Sequence, residues 1–262
     1  MRVLIIAGRW LFMFCLPVLL LSASIGFVGN SLWLYKVGFN KHDVSQTTGL
    51  DDTALETAAT SLINYLNSGE EYVKVTVTKD GVPFELFTEE ETIHFKDVKG
   101  LIRLDYYLLM GTALYSLVYA GVSLLWQKPR YWRLLAWGVV GGSGITLVLM
   151  LALSLAALLN FDRLFLQFHL FSFANEFWSA EGNMLLLFPQ DFWYDATMLC
   201  GIITAGLALV LAGVSGGYLL FTRRRPDHLM YRPPGREDET VFARSIEDYE
   251  RSIDDYDSQG NH

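Results

Sequence analysis

The sequence predicts an integral membrane protein with an all-α core of four transmembrane helices and a small extracytoplasmic α+β cap. Apolar residues make up 52% of the 262 residues and charged residues only 18%, against about 25% charged residues in soluble domains. Four runs contain no Lys, Arg, Asp or Glu, and each exceeds the roughly 20 residues needed to cross a bilayer. Basic residues gather beside alternate ends of these runs, as is typical of a multi-pass protein.

The uncharged runs and the segments between them define the predicted organisation. Because a backbone in hydrocarbon must satisfy its own hydrogen bonds, each run is expected to be a helix. The segments are transmembrane helix 1 (1–35), the cap (36–105), transmembrane helix 2 (106–126), a cytoplasmic loop (127–133), transmembrane helix 3 (134–160), an aromatic-rich interfacial segment (161–195), transmembrane helix 4 (196–222) and a tail (223–262). A cleaved signal peptide is the alternative for the first run, but the run continues to Tyr35 and overshoots the apolar part of a signal peptide.

Clusters of Lys and Arg predict the orientation. They are Arg2 with Arg9, Lys128 with Arg130 and Arg133, and Arg223 with Arg224 and Arg225. The positive-inside rule assigns all three clusters to the cytoplasmic side. Both termini are therefore expected inside, with segments 36–105 and 161–195 outside. No charge lies within a run, which disfavours an ion pathway through the bilayer and ranks a transporter third among the candidate functions.

The C-terminal tail is basic at first and then acidic, with few aliphatic residues. This composition predicts disorder, with a short amphipathic helix between residues 237 and 257 as the alternative. A cytoplasmic partner for the tail stays open. The formal net charge of −8 gives no support to nucleic-acid binding.

Local patterns predict the elements of the cap. Apolar residues at helical spacing between residues 54 and 66 follow an acidic start, which indicates a helix. Alternating apolar residues from 72 to 78, then Lys79-Asp80-Gly81, indicate a hairpin ending near residue 87. Thr88 and Glu91 form a capping box. The helix that they open is expected to run toward, or to join, the second transmembrane helix.

His94 and Asp97 lie three residues apart on that helix, so their side chains share a face. A carboxylate beside a histidine can fix the tautomer and orientation of the imidazole. The alternative is a solvated, charge-rich helix in which His94 has no role. A metal site from Glu90, His94 and Asp97 is a weaker alternative, because the spacing is ordinary and no cysteine accompanies it. We expect neither a metal nor a cofactor.

The segment from residue 161 to 178 contains seven aromatic residues beside His169, a composition that suits the bilayer interface. The alternative role for His169 is that of a hydrogen-bonded bystander. The sequence has no G-x-S-x-G elbow, no phosphate-binding glycine loop with lysine and no H-E-x-x-H pair. Cys15 and Cys200 both lie within membrane runs and are interpreted as packing residues rather than reactive thiols.

Two ordered motifs resemble those of a bacterial integral membrane family. The first, E-x-x-H-x-x-D-V, starts at Glu91 and ends at Val98. The second, F-H followed by F-x-N-x-x-W and F-P-x-x-F-x-x-D, is matched by residues 168–169, 173–178 and 188–195. With the four spans, these motifs make residues 10–222 similar to the family that includes the lipoprotein intramolecular transacylases.

The resemblance implies an enzyme of the bacterial cytoplasmic membrane with four helices and an extracytoplasmic cap. The implied reaction moves an acyl chain within a diacylglyceryl-modified lipoprotein, from the glyceryl sn-2 oxygen to the amine of the N-terminal cysteine. The implied partners are membrane lipids and a diacylated lipoprotein. The two catalytic histidines of the family correspond to His94 and His169.

Chemistry suggests roles for further residues around these histidines. We expect Asp97 to orient His94, Asn175 to stabilise an oxyanion, and Asp195 to give weaker support. An aromatic pocket is expected to fold the lipid headgroup and exclude water. Its predicted members are Phe168, Phe171, Phe173, Trp178 and Phe192.

The chain departs from the family pattern after Trp178. The family commonly shows Trp-Leu-Leu-Asp-Pro, whereas this chain has Trp178-Ser179-Ala180-Glu181-Gly182, in which Glu181 is a candidate substitute for the acidic group. Since a diverged member can keep the fold and lose the reaction, a non-catalytic membrane protein whose cap binds a lipid or a protein is the alternative function.

Overall fold

The computed structural model describes residues 2–79, 81–126, 129–223, 243–249 and 251. The helices are α1 (Arg2–Gly29), α2 (Leu32–Lys41), α3 (Val44–Thr48), α4 (Asp52–Asn67), α5 (Glu89–Leu125), α6 (Pro129–Ser172), α7 (Asn183–Leu187) and α8 (Gln190–Arg223), and the strands are β1 (Thr76–Lys79) and β2 (Val82–Glu85). Most of the tail, Lys128, Arg224 and Arg225 lie outside the described residues. Within the tail, residues 243–249 are helical with exposed side chains.

Four helices, α1, α5, α6 and α8, are long and apolar enough to cross a membrane. This confirms the predicted membrane core of four helices. Helix α5 has 37 residues and is about 55 Å long at 1.5 Å per residue, whereas the hydrocarbon layer is about 30 Å thick. The helix opened by the capping box therefore does join the second transmembrane helix, and its charged first turns extend beyond the apolar part.

The first helix ends earlier than its uncharged run. Helix α1 stops at Gly29, and Ser31 adopts extended backbone before α2 begins. The hydroxyl of Tyr35 donates to the Gly29 carbonyl over 3.1 Å, which satisfies one of the acceptors left free at the helix end. The last residues of the run thus belong to a separate helix, because hydropathy reports the apolar length but not a local break.

Glycines on α6 let α1 pack closely against it. A Cβ added at Gly142 would lie 2.9 Å from Cβ of Leu16 and 3.0 Å from the Met13 carbonyl oxygen. Small residues at such contacts allow the backbones of membrane helices to approach. On the other side, Thr204 of α8 donates its hydroxyl to Ser24 of α1 over 2.9 Å.

Helix α6 changes direction at Asn160, whose backbone is not helical (φ −163°, ψ 86°). The side chain of Asn160 accepts the backbone N–H of Arg163 over 2.9 Å, which is the bond that an N-capping residue makes. The last turns of α6, which carry His169, therefore start as a newly capped helix.

The residues between α1 and α5 fold into an α/β unit, residues 32–88, around one hydrophobic core. Helix α4 begins behind Asp51, which accepts the N–H of Ala54 over 2.7 Å. The strands pair antiparallel, with Thr76 opposite Glu85 and Gly81 at φ +78° in the turn. The predicted helix, hairpin and capping box are all confirmed. The core also includes the start of α5 and residues between 184 and 192, so the segment before α8 packs on this unit.

Candidate active site

His94 and His169 come together from two different helices. His94 lies on the second turn of α5, and His169 lies on the last turn of α6. Their rings stack with centroids 6.2 Å apart and planes 28° from parallel. Both residues are buried, with 6% and 7% of their surface exposed. Two imidazolium ions at this separation would repel by about 3 kcal/mol at an effective dielectric constant of about 20, so the pair favours at most one positive charge.

The backbone fixes the tautomer of His169. Its Nδ1 lies 2.8 Å from the carbonyl oxygen of Phe165, one helical turn earlier. A carbonyl can only accept, so Nδ1 carries the hydrogen and neutral His169 keeps an unprotonated Nε2. His169 thus presents a nitrogen lone pair with a fixed ring orientation.

One ring nitrogen of His94 remains available for a further hydrogen bond. Within the described part of the chain, its buried Nδ1 has no hydrogen-bond partner. An unpaired polar group at a buried position costs free energy, and such atoms are uncommon outside functional sites. The ring is instead held by packing, with Phe173 at a centroid distance of 4.8 Å in an edge-to-face arrangement.

Aromatic rings surround the pair on the side of His169. The Phe165 ring lies 4.1 Å from that imidazole, the Trp178 ring 5.0 Å and the Phe168 ring 5.3 Å. Phe173 contacts both histidines, at 4.8 Å and 5.4 Å. Three of the five predicted pocket residues therefore lie at the pair. Phe165 was missed, although its position one turn before His169 was a usable signal.

The other two predicted pocket residues lie elsewhere. Phe171 is 94% exposed, because it follows His169 by two residues on α6 and a step of two residues turns a helix by about 200°, which points its ring away from the histidine pair. Phe192 is 2% exposed and belongs to the core of the α/β unit, where its ring packs on Tyr35, Phe39 and Phe188. The expectation that these two rings line the pocket is corrected accordingly.

Asp97 and Asn175 bind each other rather than the histidine pair. The Asn175 amide donates to Oδ2 of Asp97 over 2.8 Å, while its carbonyl oxygen accepts the N–H of Phe177. Asp97 makes no hydrogen bond to His94 within the described residues. The predicted orienting carboxylate and the predicted oxyanion donor thus form a link between α5 and the segment after α6.

Asp195 lies at the start of α8 and pairs with α2. Its carboxylate accepts hydrogen bonds from Lys41, at 2.6 and 2.7 Å, and lies 2.9 Å from Nε2 of His42. These bonds fasten α8 to α2, so the expected support of the histidines by Asp195 is not what its contacts provide.

Glu91 makes two contacts, of which the capping box predicted only the first. It is completely buried. One carboxylate oxygen accepts the N–H of Thr88, and the other accepts the N–H of Met184 from α7. Glu181, the candidate substitute for the acidic group, is exposed, so the buried carboxylate near this turn comes from α5.

The surface of α5 beside the site carries an exposed ion pair, Lys96 with Glu71 at 2.6 Å. The hydrogen bond from Lys96 lowers the pKa of the Glu71 carboxyl. In the described part of the chain, no three His, Cys, Asp or Glu side chains are grouped as metal ligands would be.

Comparison with known proteins identifies the family. The family model described as lipoprotein intramolecular transacylase Lit matches residues 10–193. No curated protein matches the chain. The solved structure of the membrane-integral transacylase Lit from Bacillus cereus is similar in fold, with a TM-score of 0.72 and 17% identity over 86% of this chain and 100% of that chain.

Two structures of the same Bacillus cereus protein with one histidine replaced also match. The arginine variant has a TM-score of 0.66 over 84% of this chain and 94% of that chain, and the alanine variant 0.67 over 85% and 96%, both at 17% identity. These likenesses support the fold, and the family model covers most of the sequence. The chain belongs to the lipoprotein intramolecular transacylase family.

Proposed function

We propose that this protein moves an acyl chain within a diacylglyceryl-modified lipoprotein, from the glyceryl sn-2 oxygen to the amine of the N-terminal cysteine. The observation that carries the proposal is the stacked pair of His94 and His169, 6.2 Å apart and buried among aromatic rings. The family resemblance led us to expect His94 and His169 at one site, and the contact of the two buried rings supports that expectation. Imidazole is the side chain suited to proton transfer near neutral pH.

The reaction needs a proton moved from the nucleophile to the leaving group. The cysteine amine attacks the ester carbonyl carbon, a C–N bond forms, and the bond from that carbon to the sn-2 oxygen breaks. The amine loses a proton, and the glyceryl oxygen gains one. In our proposal His169 accepts the amine proton at Nε2, the nitrogen that the bond of Nδ1 to Phe165 leaves free. His94, whose Nδ1 has no partner among the described residues, gives a proton to the glyceryl oxygen as its bond to the carbonyl carbon breaks. The proton taken by His169 then restores His94.

The aromatic rings around the histidines would hold the lipid headgroup in a reactive conformer and exclude water. Nucleophile and ester belong to one substrate molecule, so folding the headgroup into a reactive conformer removes much of the barrier. Phe168, Phe173 and Trp178 pack around the imidazoles. Such a wall would keep out the water that hydrolyses esters.

We further propose that the α/β unit faces the outside of the bacterial cytoplasmic membrane and that both termini are cytoplasmic. The basic residues beside α1 and α6 support this orientation. Single cysteines at exposed Glu85 and Arg130, introduced after Cys15 and Cys200 are replaced by Ser, test it in intact cells. A membrane-impermeant thiol reagent should label the cysteine at 85 and spare the one at 130, and the reverse labelling would refute the orientation.

The activity is tested with purified protein and a synthetic diacylated lipopeptide. An intramolecular transfer leaves the mass unchanged, so tandem mass spectrometry must locate the acyl chain on the amine, and an amine-reactive reagent should stop labelling the product. His94→Gln and His169→Gln should each lower the transfer rate by about 10²–10⁴-fold, with His42→Gln as the histidine control outside the pair. An unchanged substrate, together with stable co-purification of another membrane protein, would favour the non-catalytic alternative.

A further inference from the structure

Three side chains on α5 meet one segment of chain. Glu91, His94 and Asp97 are spaced by three residues, so they lie along one face of the helix. Each of the three has a partner among residues 169–184, and His94 contacts His169 and Phe173. Glu91 accepts the N–H of Met184, and Asp97 accepts the amide of Asn175. The reactive histidine is thus flanked by two carboxylates that both hold the same segment.

The burial of Glu91 sets it apart from an ordinary capping residue. A capping box needs one acceptor at this position, and Gln supplies it equally well. A fully buried carboxylate is costly unless hydrogen bonds compensate it, and here both oxygens accept a backbone N–H. The bond to Thr88 lies within the cap of α5, whereas the bond to Met184 joins α5 to the start of α7.

Gly182 fits against that carboxylate because it has no side chain. A Cβ at residue 182 would lie 2.3 Å from Oε1 and 2.5 Å from Cδ of Glu91. The backbone of Gly182 is extended (φ 175°), so its conformation is open to any residue. The space, and not the backbone angle, is what requires glycine. Glycine, at the position where the family commonly has proline, therefore fits the space beside the Glu91 carboxylate.

The two attachments enclose the part of the segment that covers the site. Asn175 and Met184 are its fixed points, and Trp178 lies between them with its ring 5.0 Å from His169. Asn183 adds a third bond near the second fixed point, from its amide to the Leu86 carbonyl over 2.7 Å.

We propose that Glu91 is a positioning residue that, with Gly182 as its fitted neighbour and Asp97 at the other end, fastens residues 175–184 over the histidine pair. The inference rests on the proposed acyl transfer for its kinetic part. Glu91 exchanges no proton with the substrate. Its carboxylate holds the segment closed, so that the amine, and not water, reaches the ester.

A loosened segment should change the fate of the acyl chain. Water that enters the site attacks the same ester carbonyl, which releases a free fatty acid and leaves the lyso product with a free amine. Glu91→Gln places an amide donor against one of the two N–H groups, and Gly182→Ala places a methyl group into the carboxylate. Both variants should lower kcat for transfer about tenfold or more and raise the fraction of free fatty acid. Hydrogen exchange of residues 176–182 should become faster in both.

Two control variants accompany them. Glu90→Gln changes an exposed carboxylate on the same turn, and Gly100→Ala adds a methyl group to α5 where nothing apart from the adjoining backbone of that helix lies within 4 Å among the described residues. Both should keep the wild-type rate, product ratio and exchange. The double variant Glu91→Ala with Gly182→Ala should be no worse than Glu91→Ala alone, because the clash disappears with the carboxylate.

The outcomes separate this proposal from the reaction itself. Wild-type exchange and product ratio in Glu91→Gln and Gly182→Ala would overturn the positioning role. If the wild-type protein transfers no acyl chain, the proposed function fails, while hydrogen exchange still decides whether Glu91 and Gly182 fasten the segment. A variant that fails to fold is replaced by Asn183→Ala, which removes only the adjoining bond and should show the same faster exchange in weaker form.

Discussion

The imidazole rings of His94 and His169 stack at 6.2 Å although one belongs to the start of α5 and the other to the end of α6. The contact depends on the length of α5 beyond the bilayer and on the change of direction of α6 at Asn160. It brings two imidazoles together at one buried position. The family to which the chain belongs and the paired imidazoles both suggest acyl-transfer chemistry.

Replacing either histidine with Ala should lower the rate of acyl transfer by about 10²–10⁴-fold, the range for loss of a general acid or base. The double variant should be little worse than either single one, because groups that act as a unit lose their effect together. Single-turnover rates followed by tandem mass spectrometry measure this. Independent, multiplying losses would argue that the two rings act in separate steps.

The hydrogen bond between Asp97 and Asn175 predicts that one substitution destabilises the protein and that a second, compensating substitution restores its stability. Asn175→Asp places two carboxylates in contact and should cost about 1–3 kcal/mol of stability. Adding Asp97→Asn restores one donor and one acceptor with their positions exchanged, so the double variant should recover most of the loss. Thermal unfolding in detergent, analysed as a double-mutant cycle, measures the coupling. An absence of recovery would mean that this bond does not hold the segment.

Phe171 and Phe173 should behave differently even though they are two residues apart. Phe173 is 9% exposed and contacts both histidines, whereas Phe171 is 94% exposed. Phe173→Leu should lower the transfer rate about tenfold through a loosened pocket, and Phe171→Leu should leave it unchanged. The comparison uses the lipopeptide assay. Equal effects at both positions would contradict the packing of Phe173 on the two histidines.

Gly142→Ala should separate α1 from α6. The added methyl group would lie 2.9 Å from Leu16 and 3.0 Å from the Met13 carbonyl oxygen, an overpacking that costs about 1–3 kcal/mol. Gly144→Ala is the control, since a Cβ there would have no contact within 4 Å apart from the adjoining backbone of α6 in the described part of the chain. We expect the unfolding temperature to fall for residue 142 and not for residue 144. A neutral result at residue 142 would show that the helices adjust.

Local chemistry explains which parts of the fold were predictable. The capping box of Thr88 and Glu91, the helix behind Asp51 and the hairpin around Gly81 depend on neighbours in sequence, and each is confirmed. The four membrane helices follow from apolar length. Their ends did not, because the break after Gly29 depends on a bond from Tyr35 that hydropathy does not register.

The site itself was predicted only in part. The motifs pointed to His94 and His169, and Phe168, Phe173 and Trp178 lie beside them. Asp97 was expected at the site from its spacing to His94. Asn175, Asp195 and Phe192 lie in the second motif and were expected there from their chemistry. The contacts of all four instead join helices and segments to one another. A motif shows that a residue type occurs at a position, and it does not separate chemistry from attachment.

The sequence by itself determined that this chain crosses a membrane with four helices and carries a small α/β unit, since hydrophobic length, caps and turns are properties of short stretches. Only the tertiary structure decided which side chains meet. Two residues distant in sequence come into contact through the path of every element between them, and that path depends on close packing at positions such as Gly142 and Gly182, where a single methyl group would not fit.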